Sequence, residues 1–459
     1  MGLTGALFVL AFLVGAFYAF ARHPIYGLMT YVAVYYLHPP ARWWGQPIAS
    51  YRWSLLAAGI TLIAVFASRK RRVKPGVPVL RHKVMVGLTL FFVYLVIQNA
   101  WAMDPKMHQD MTTLFAKYVL LVGLIYVCVD SEKHLKLFLW THVLGCVYLG
   151  WIAYTTYDGG RFEGFGGPDI NEANAGALQI VTGIFCASVL ILSGTIKQRV
   201  AIFSGLPLIV NALVATVSRS GFLELACGGL MFNIFTPPRF KKIVKILSIV
   251  AVVGFLLITN PLYWMRMSSM KYAGEEVQGV DTGGGRLVLI AAQWQMFQQH
   301  PLGCGHRCTA VLSPKFLDDS RLTGEGAQRA RSSHNSVMTM LVEHGVLGGV
   351  AYFALLIWIL RTLRELARKL KGREGFLPVF LPAIASILIA IAIGDCFVDY
   401  VLQEVRIWFV GILMAMVALA NALPPAPQTP VPVGRGQRAA NRPPQRAKAA
   451  PATVERRRA

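Results

Sequence analysis

Charge is scarce in this chain, and negative charge scarcest: Asp and Glu number 22 against 45 Lys and Arg, and together they make 15% of 459 residues. Ordinary soluble domains carry about a quarter charged residues, so that class is excluded. The apolar start, residues 3 to 20, lacks a basic leader and a small-residue cleavage site, so no removable signal peptide is expected. No convincing internal repeat is visible, which argues against the duplicated build common among secondary transporters. Cysteines number only seven. Cys128, Cys146, Cys186, Cys227 and Cys396 fall in or beside apolar runs, where Cys behaves as a small hydrophobe. Cys304 and Cys308 lie in a polar loop, Gly303-Cys-Gly-His-Arg-Cys308, and leave two readings open. One is a disulfide, if the loop faces an oxidising compartment; the other is a Cys-His-Cys metal site, against which stand a missing fourth ligand and a spacing unlike common zinc patterns.

Apolar residues are abundant, at 55% of the chain. They gather in runs near 3–21, 24–37, 53–68, 84–102, 112–129, 134–155, 173–193, 200–217, 221–235, 243–260, 336–361, 377–394 and 404–421, each of helix length or slightly short. This predicts an all-α polytopic membrane protein with about 12 transmembrane helices. The Arg22-His23-Pro24 break leaves the first element open, because proline cannot continue a regular helix. A broken or re-entrant start would let the first two runs share one crossing. A formal net charge of +23 would suggest a nucleic-acid partner in a soluble chain. Here the charge flanks apolar runs, at 69–83, 197–199, 239–242 and 361–373, and no nucleic acid is expected. By the positive-inside rule these loops are cytoplasmic, which puts loops 38–52, 103–111, 156–172, 218–220, 261–335 and 395–403 on the opposite side.

The expected divisions are N-terminal membrane helices over 1–260, a long, partly helical outer loop over 261–335, C-terminal membrane helices over 336–423, and a Pro-, Ala- and Arg-rich tail over 424–459 that is expected to be disordered and cytoplasmic. Trp43, Trp44, Trp53 and Trp101 fit an interfacial belt.

Three polar stretches interrupt this pattern. Arg331-Ser-Ser-His-Asn-Ser336 runs straight into an apolar helix, and an imidazole at such a surface can take a proton from a hydroxyl near neutral pH, or simply anchor the helix. Thr216-Val-Ser-Arg-Ser-Gly-Phe222 places Arg219 between two apolar runs, where a guanidinium needs an anionic partner, snorkels, or pairs with Glu224. Gly283-Gly-Gly-Arg286 precedes a helical stretch, and a guanidinium beside free helix amides suits phosphate, although a solvated loop arginine is the plain alternative. Asp169, Asn171, Glu172 and Asn174 either bind sugar hydroxyls or cap a helix, and Arg161 could add charge to the same face. Lys117, inside an apolar run, snorkels or faces a cavity. His344 reads as a packed core residue, and His300 as part of a turn with Pro301.

Ser-Arg-Ser-Gly at 218–221, Gly-Arg at 285–286 followed by Trp294 and His300-Pro-Leu-Gly-Cys-Gly305, and Ser-His-Asn-Ser at 333–336 with Glu343-His-Gly-Val-Leu-Gly348 together resemble the O-antigen ligase and O-antigen polymerase superfamily. The loop Gly166-Gly-Pro-Asp-Ile-Asn-Glu-Ala-Asn-Ala-Gly176 is similar to exosortase-associated O-glycosylation ligases. The resemblance implies a GT-C-like membrane glycosyltransferase of the inner membrane, with its active site facing the periplasm. It implies transfer of a glycan from undecaprenyl diphosphate to the lipid A core, among membrane lipids and with no cofactor. Carried onto this sequence, it makes His334 the catalytic base or acceptor-positioning group, Arg219 and Arg286 the diphosphate ligands, and Arg161, Asp169 and Asn174 lesser glycan or donor contacts. No metal ligand is expected, since metal-dependent glycosyltransferases often use an Asp-x-Asp pair and the 261–335 loop holds none. An inverting displacement follows from the lack of a second carboxylate nucleophile at suitable spacing. A polymerase or a protein O-oligosaccharyltransferase would use the same donor. A lipid-linked glycan transporter is the reading from a different class.

Overall fold

Every apolar run of the sequence is a helix in the computed structural model, which describes residues 2–68, 76–259, 261–268, 285–323 and 330–424. In chain order the helices are α1 (Leu3–Ala21), α2 (Ile25–Leu37), α3 (Trp53–Ala67), α4 (Lys83–Gln98), α5 (Pro105–Cys128), α6 (Glu132–Thr156), α7 (Ala173–Ser193), α8 (Ile196–Ala215), α9 (Arg219–Phe235), α10 (Lys241–Ile258), α11 (Pro261–Ser268), α12 (Gly285–Gln299), α13 (Cys308–Phe316), α14 (Ser336–Leu370), α15 (Phe376–Gly394) and α16 (Glu404–Asn421). Among the described residues there is no strand, only one isolated bridge between Thr323 and Ala330. Among the described residues, eight helices are long and apolar enough to cross a membrane: α1, α5, α6, α7, α8, α14, α15 and α16. The shorter α3 and α4 are apolar too.

Burial grades the bundle. Most side chains of α15 and α16 are enclosed, with α15 packed on α7 and α9 and α16 on α5. At the rim the apolar residues face outward: Leu3, Leu7, Leu10 and Phe17 of α1, and Ile246, Ile249, Val253 and Leu257 of α10. Helices that stay apolar on their outer faces match a hydrocarbon surrounding, where only internally satisfied backbone is tolerated.

The Arg22-His23-Pro24 break is a hairpin. A Cβ on Gly15 would overlap Thr30, and one on Gly27 would lie 3.2 Å from the Ala19 methyl, so α1 and α2 run antiparallel. His23 Nδ1 accepts the Ile25 amide at 3.1 Å, and Nε2 lies 3.0 Å from Asp130. The first two runs are therefore two helices, although the 13 residues of α2 fall short of the roughly 20 that span a bilayer.

The 261–335 loop is partly helical as expected, contributing α11, α12 and α13. Gly283, Gly284, the basic stretch at 69–75 and the tail from 425 lie outside the described residues. Cys304 and Cys308 form a disulfide, which settles the two readings of that loop in favour of the bridge. The same loop meets a break in α14 at Gly345, whose φ of 64° and ψ of −157° suit glycine alone. Backbone groups left free by the break are paired. Val346 N donates to Pro301 O (2.9 Å), Gly305 N to Glu343 O (2.9 Å) and Cys304 N to Val342 O (3.3 Å), and the Tyr94 hydroxyl donates to His344 O (3.0 Å).

Candidate functional site

Several of the segments expected to share one side of the membrane, 38–52, 156–172, 261–335 and 395–403, contribute to a cavity of about 850 Å³. Its wall takes residues from 38–54, 168–175, 306–307, 332–334 and 398–404, and from the facing turns of α2, α5 and α14.

The Ser-His-Asn-Ser motif shows how sequence builds this wall. Asn335 is the N-cap of α14, its side chain accepting the Met338 amide at 3.0 Å, and its amide nitrogen donates to Cys396 O at 3.0 Å. Ser336 receives the Tyr400 amide at 2.7 Å and donates to Val398 O at 3.1 Å, tying the 395–403 segment to the helix start. Ser333 accepts from Gln293 Nε2 of α12 at 2.9 Å. Three of the four side chains thus fix a turn, and the fourth, His334, lines the cavity. Neither His334 ring nitrogen hydrogen-bonds another group among the described residues.

Gln293 lies seven residues, two helical turns, from Arg286, so the bond to Ser333 aims that face of α12 at the motif. The result is electrostatic: burial, then Arg331, then Arg286 push His334 down to about 4. The imidazole is neutral at physiological pH and carries a free lone pair beside two guanidinium groups. The charge of Arg286 thus reaches His334, while Arg286 itself is not among the residues lining the cavity.

Arg219 is the first residue of α9 and is only 8% exposed. Its neighbours Ser218 and Ser220 both donate to Asn174 Oδ1, at 2.8 and 3.4 Å, and Arg161 reaches the same oxygen at 3.1 Å. Arg161, Asn174 and the start of α9 thus form a second cluster, joined to the cavity wall through Tyr400, whose hydroxyl donates to Asn174 O at 3.1 Å. Glu224, the partner that sequence offered Arg219, shares that hydroxyl, its Oε1 lying 2.9 Å away.

None of the four polar residues near 169–174 supplies a side-chain cap to α7. Asp169 instead accepts the Tyr35 hydroxyl on Oδ1 and the Glu404 amide at 2.6 Å on Oδ2, so it caps α16 from a distant loop. Its burial pushes the carboxyl up. Asn171 braces its own loop through the Gly166 amide at 2.8 Å. Lys117 is among the residues lining the cavity. His344 is fully buried, and His300 O accepts the Gly303 amide at 2.8 Å in the expected turn.

Sequence reasoning passed over Arg307, Asp399 and Glu404, all in the cavity wall. Arg307 holds a left-handed φ of 63°, and its backbone N–H reaches Glu343 while its charge acts on Asp399, whose carboxyl burial pushes up. A non-glycine residue in that conformation costs on the order of 1–2 kcal/mol and marks a constrained turn. The local signal that could have found it is its place inside the short Cys304–Cys308 loop.

Residues 203–353 match the family model described as O-antigen ligase. The matched segment, about a third of the chain, carries Arg219, Arg286 and His334 together. No curated protein matches the chain.

Proposed function

We propose that this multi-pass membrane protein transfers a glycan from undecaprenyl diphosphate to the lipid A core on the periplasmic face of the inner membrane, as a GT-C-like enzyme with about 12 crossings. The observation that carries the reading is His334 at the cavity wall, its pKa pushed down by burial and by the charges of Arg331 and Arg286, within the segment matching the O-antigen ligase family.

A diphosphate-linked sugar is already activated, so the protein has to orient a hydroxyl, take its proton and stabilise the departing charge. His334 accepts the acceptor's proton as its oxygen attacks the anomeric carbon. The bond from that carbon to the diphosphate oxygen breaks, and undecaprenyl diphosphate leaves with the electron pair. A single displacement inverts the anomeric configuration. Arg286, in the first turn of α12, meets the diphosphate with a planar fork of donors near free helix amides, and Arg219 offers the same at the start of α9. Arg161, Asp169 and Asn174 are assigned to lesser glycan or donor contacts. Their protein hydrogen bonds leave only their remaining donors and lone pairs for that task.

The test is the acceptor. Purified full-length protein given undecaprenyl-diphosphate glycan is offered lipid A core, a second lipid-linked glycan, or a Ser/Thr peptide, and product is resolved by mass spectrometry. Transfer to the lipid A core is expected. Extension of the second lipid-linked glycan would make the protein a polymerase, and a glycopeptide would make it a protein glycosylase.

Guanidinium groups take the place of a bridging cation in this scheme, so turnover is expected to persist after EDTA treatment without added Mg²⁺ or Mn²⁺. Loss of turnover restored by either ion would show that the diphosphate is held through a metal.

A further inference from the structure

We propose that His306, Glu343 and His344 bind one divalent cation of the zinc class, at the point where the disulfide loop meets the break in α14. Their candidate ligand atoms all lie within 4.8 Å of one another, and the three side chains are 3%, 4% and 0% exposed. This site is distinct from the diphosphate contacts proposed above and rests on separate observations.

The ring nitrogens carry the argument. Gln98 directs its amide nitrogen at two carbonyls, Glu343 O at 2.7 Å and Leu302 O at 3.4 Å, so its Oε1 faces His344 Nδ1 at 2.9 Å. An acceptor there requires Nδ1 to carry the hydrogen, which leaves a lone pair on Nε2. That Nε2 is buried and has no hydrogen-bond partner. Metal-bound histidines take this same form, one ring nitrogen donating to a fixed acceptor while the other faces the ion. His306 adds a second unpaired nitrogen: its Nε2 is buried without a partner, and its Nδ1 lies 3.8 Å from Glu343 Oε2, beyond a hydrogen bond, so neither ring nitrogen is committed to the protein. Two unpaired imidazole nitrogens beside a carboxylate are a ligand set that a divalent cation can satisfy.

The surrounding charge is compatible with one. Arg307 acts on both Glu343 and Asp399, so two carboxylates share one guanidinium. Two imidazoles and a carboxylate suit zinc and its first-row neighbours, with water in the remaining position, and disfavour Mg²⁺, which prefers oxygen ligands. The other such trio among the described residues, His23, Asp130 and His134, is already engaged internally, since Asp130 meets a ring nitrogen of each histidine at 3.0 and 2.6 Å.

The full chain, purified in detergent with a histidine-free affinity tag, is assayed for bound metals by mass spectrometry. About one zinc-class ion per chain is expected. His344→Ala and His306→Ala should lose it, while His134→Ala should retain it. An ion lost in His134→Ala but kept in His344→Ala overturns the assignment. Where a His344 variant fails to fold, Co²⁺ is titrated into metal-stripped protein carrying His134→Ala. Visible ligand-field bands saturating at about one equivalent support the site, and their absence overturns it.

Discussion

Replacing His334 with alanine is expected to lower turnover by about 10²- to 10⁴-fold while the lipid-diphosphate donor still binds, because a base acts on the proton and not on the donor's affinity. The environment of His334 adds a signature beyond the loss of rate. With its pKa pushed down to about 4, the acid limb of kcat/KM should fall as pH drops through about 4, well below the 6.5 or so of an ordinary histidine. Stability shows the same window. Below about 6.5 the unfolded chain binds a proton at this site that the folded chain refuses, so this contribution, full above 6.5, is lost as pH falls towards about 4. His334→Gln should flatten that part of the stability profile. A parental transfer rate in the alanine variant would reduce the histidine to a structural member of the turn.

Arg286→Ala is expected to weaken donor binding by roughly 10- to 150-fold, the worth of a charge-assisted hydrogen bond at about 1.5–3 kcal/mol. It should also raise the His334 pKa, since Arg286 is one of the charges holding it down, and so move the acid limb upward. Arg219→Ala, from the cluster around Asn174, should weaken the donor complex and leave the acid limb near about 4. Lysine at either position keeps the charge and loses the fork, so neither Arg219→Lys nor Arg286→Lys should restore full affinity. Donor binding by isothermal calorimetry together with pH–rate profiles separates these outcomes. An acid limb unmoved in Arg286→Ala would detach that arginine from the base.

Helix positions were legible because an apolar run long enough to span lipid has few alternatives, and the runs near 173–193 and 404–421 coincide with α7 and α16 end for end. Four of the segments grouped by the alternation of basic loops, 38–52, 156–172, 261–335 and 395–403, also contribute to the cavity wall, whereas 218–220 does not. What the sequence withheld was contact between distant segments. Nothing near Asp169 indicates that it caps α16, 235 residues away, and nothing near Asp399 indicates Arg307. The Ser-His-Asn-Ser motif shows the same limit from inside: sequence singles out His334, while only packing shows that Ser333, Asn335 and Ser336 spend their side chains holding the turn.

The break at Gly345 decides which wall of the cavity can move. Carbonyls 342 to 344 have left the helical ladder, and the 302–305 loop together with Gln98 and Tyr94 occupies them. Were that loop to swing outward, those oxygens would face hydrocarbon unpaired, at several kcal/mol each. The disulfide loop is therefore a fixed post and not a door. Whatever enters the cavity thus meets, on this side, a wall that is already in place.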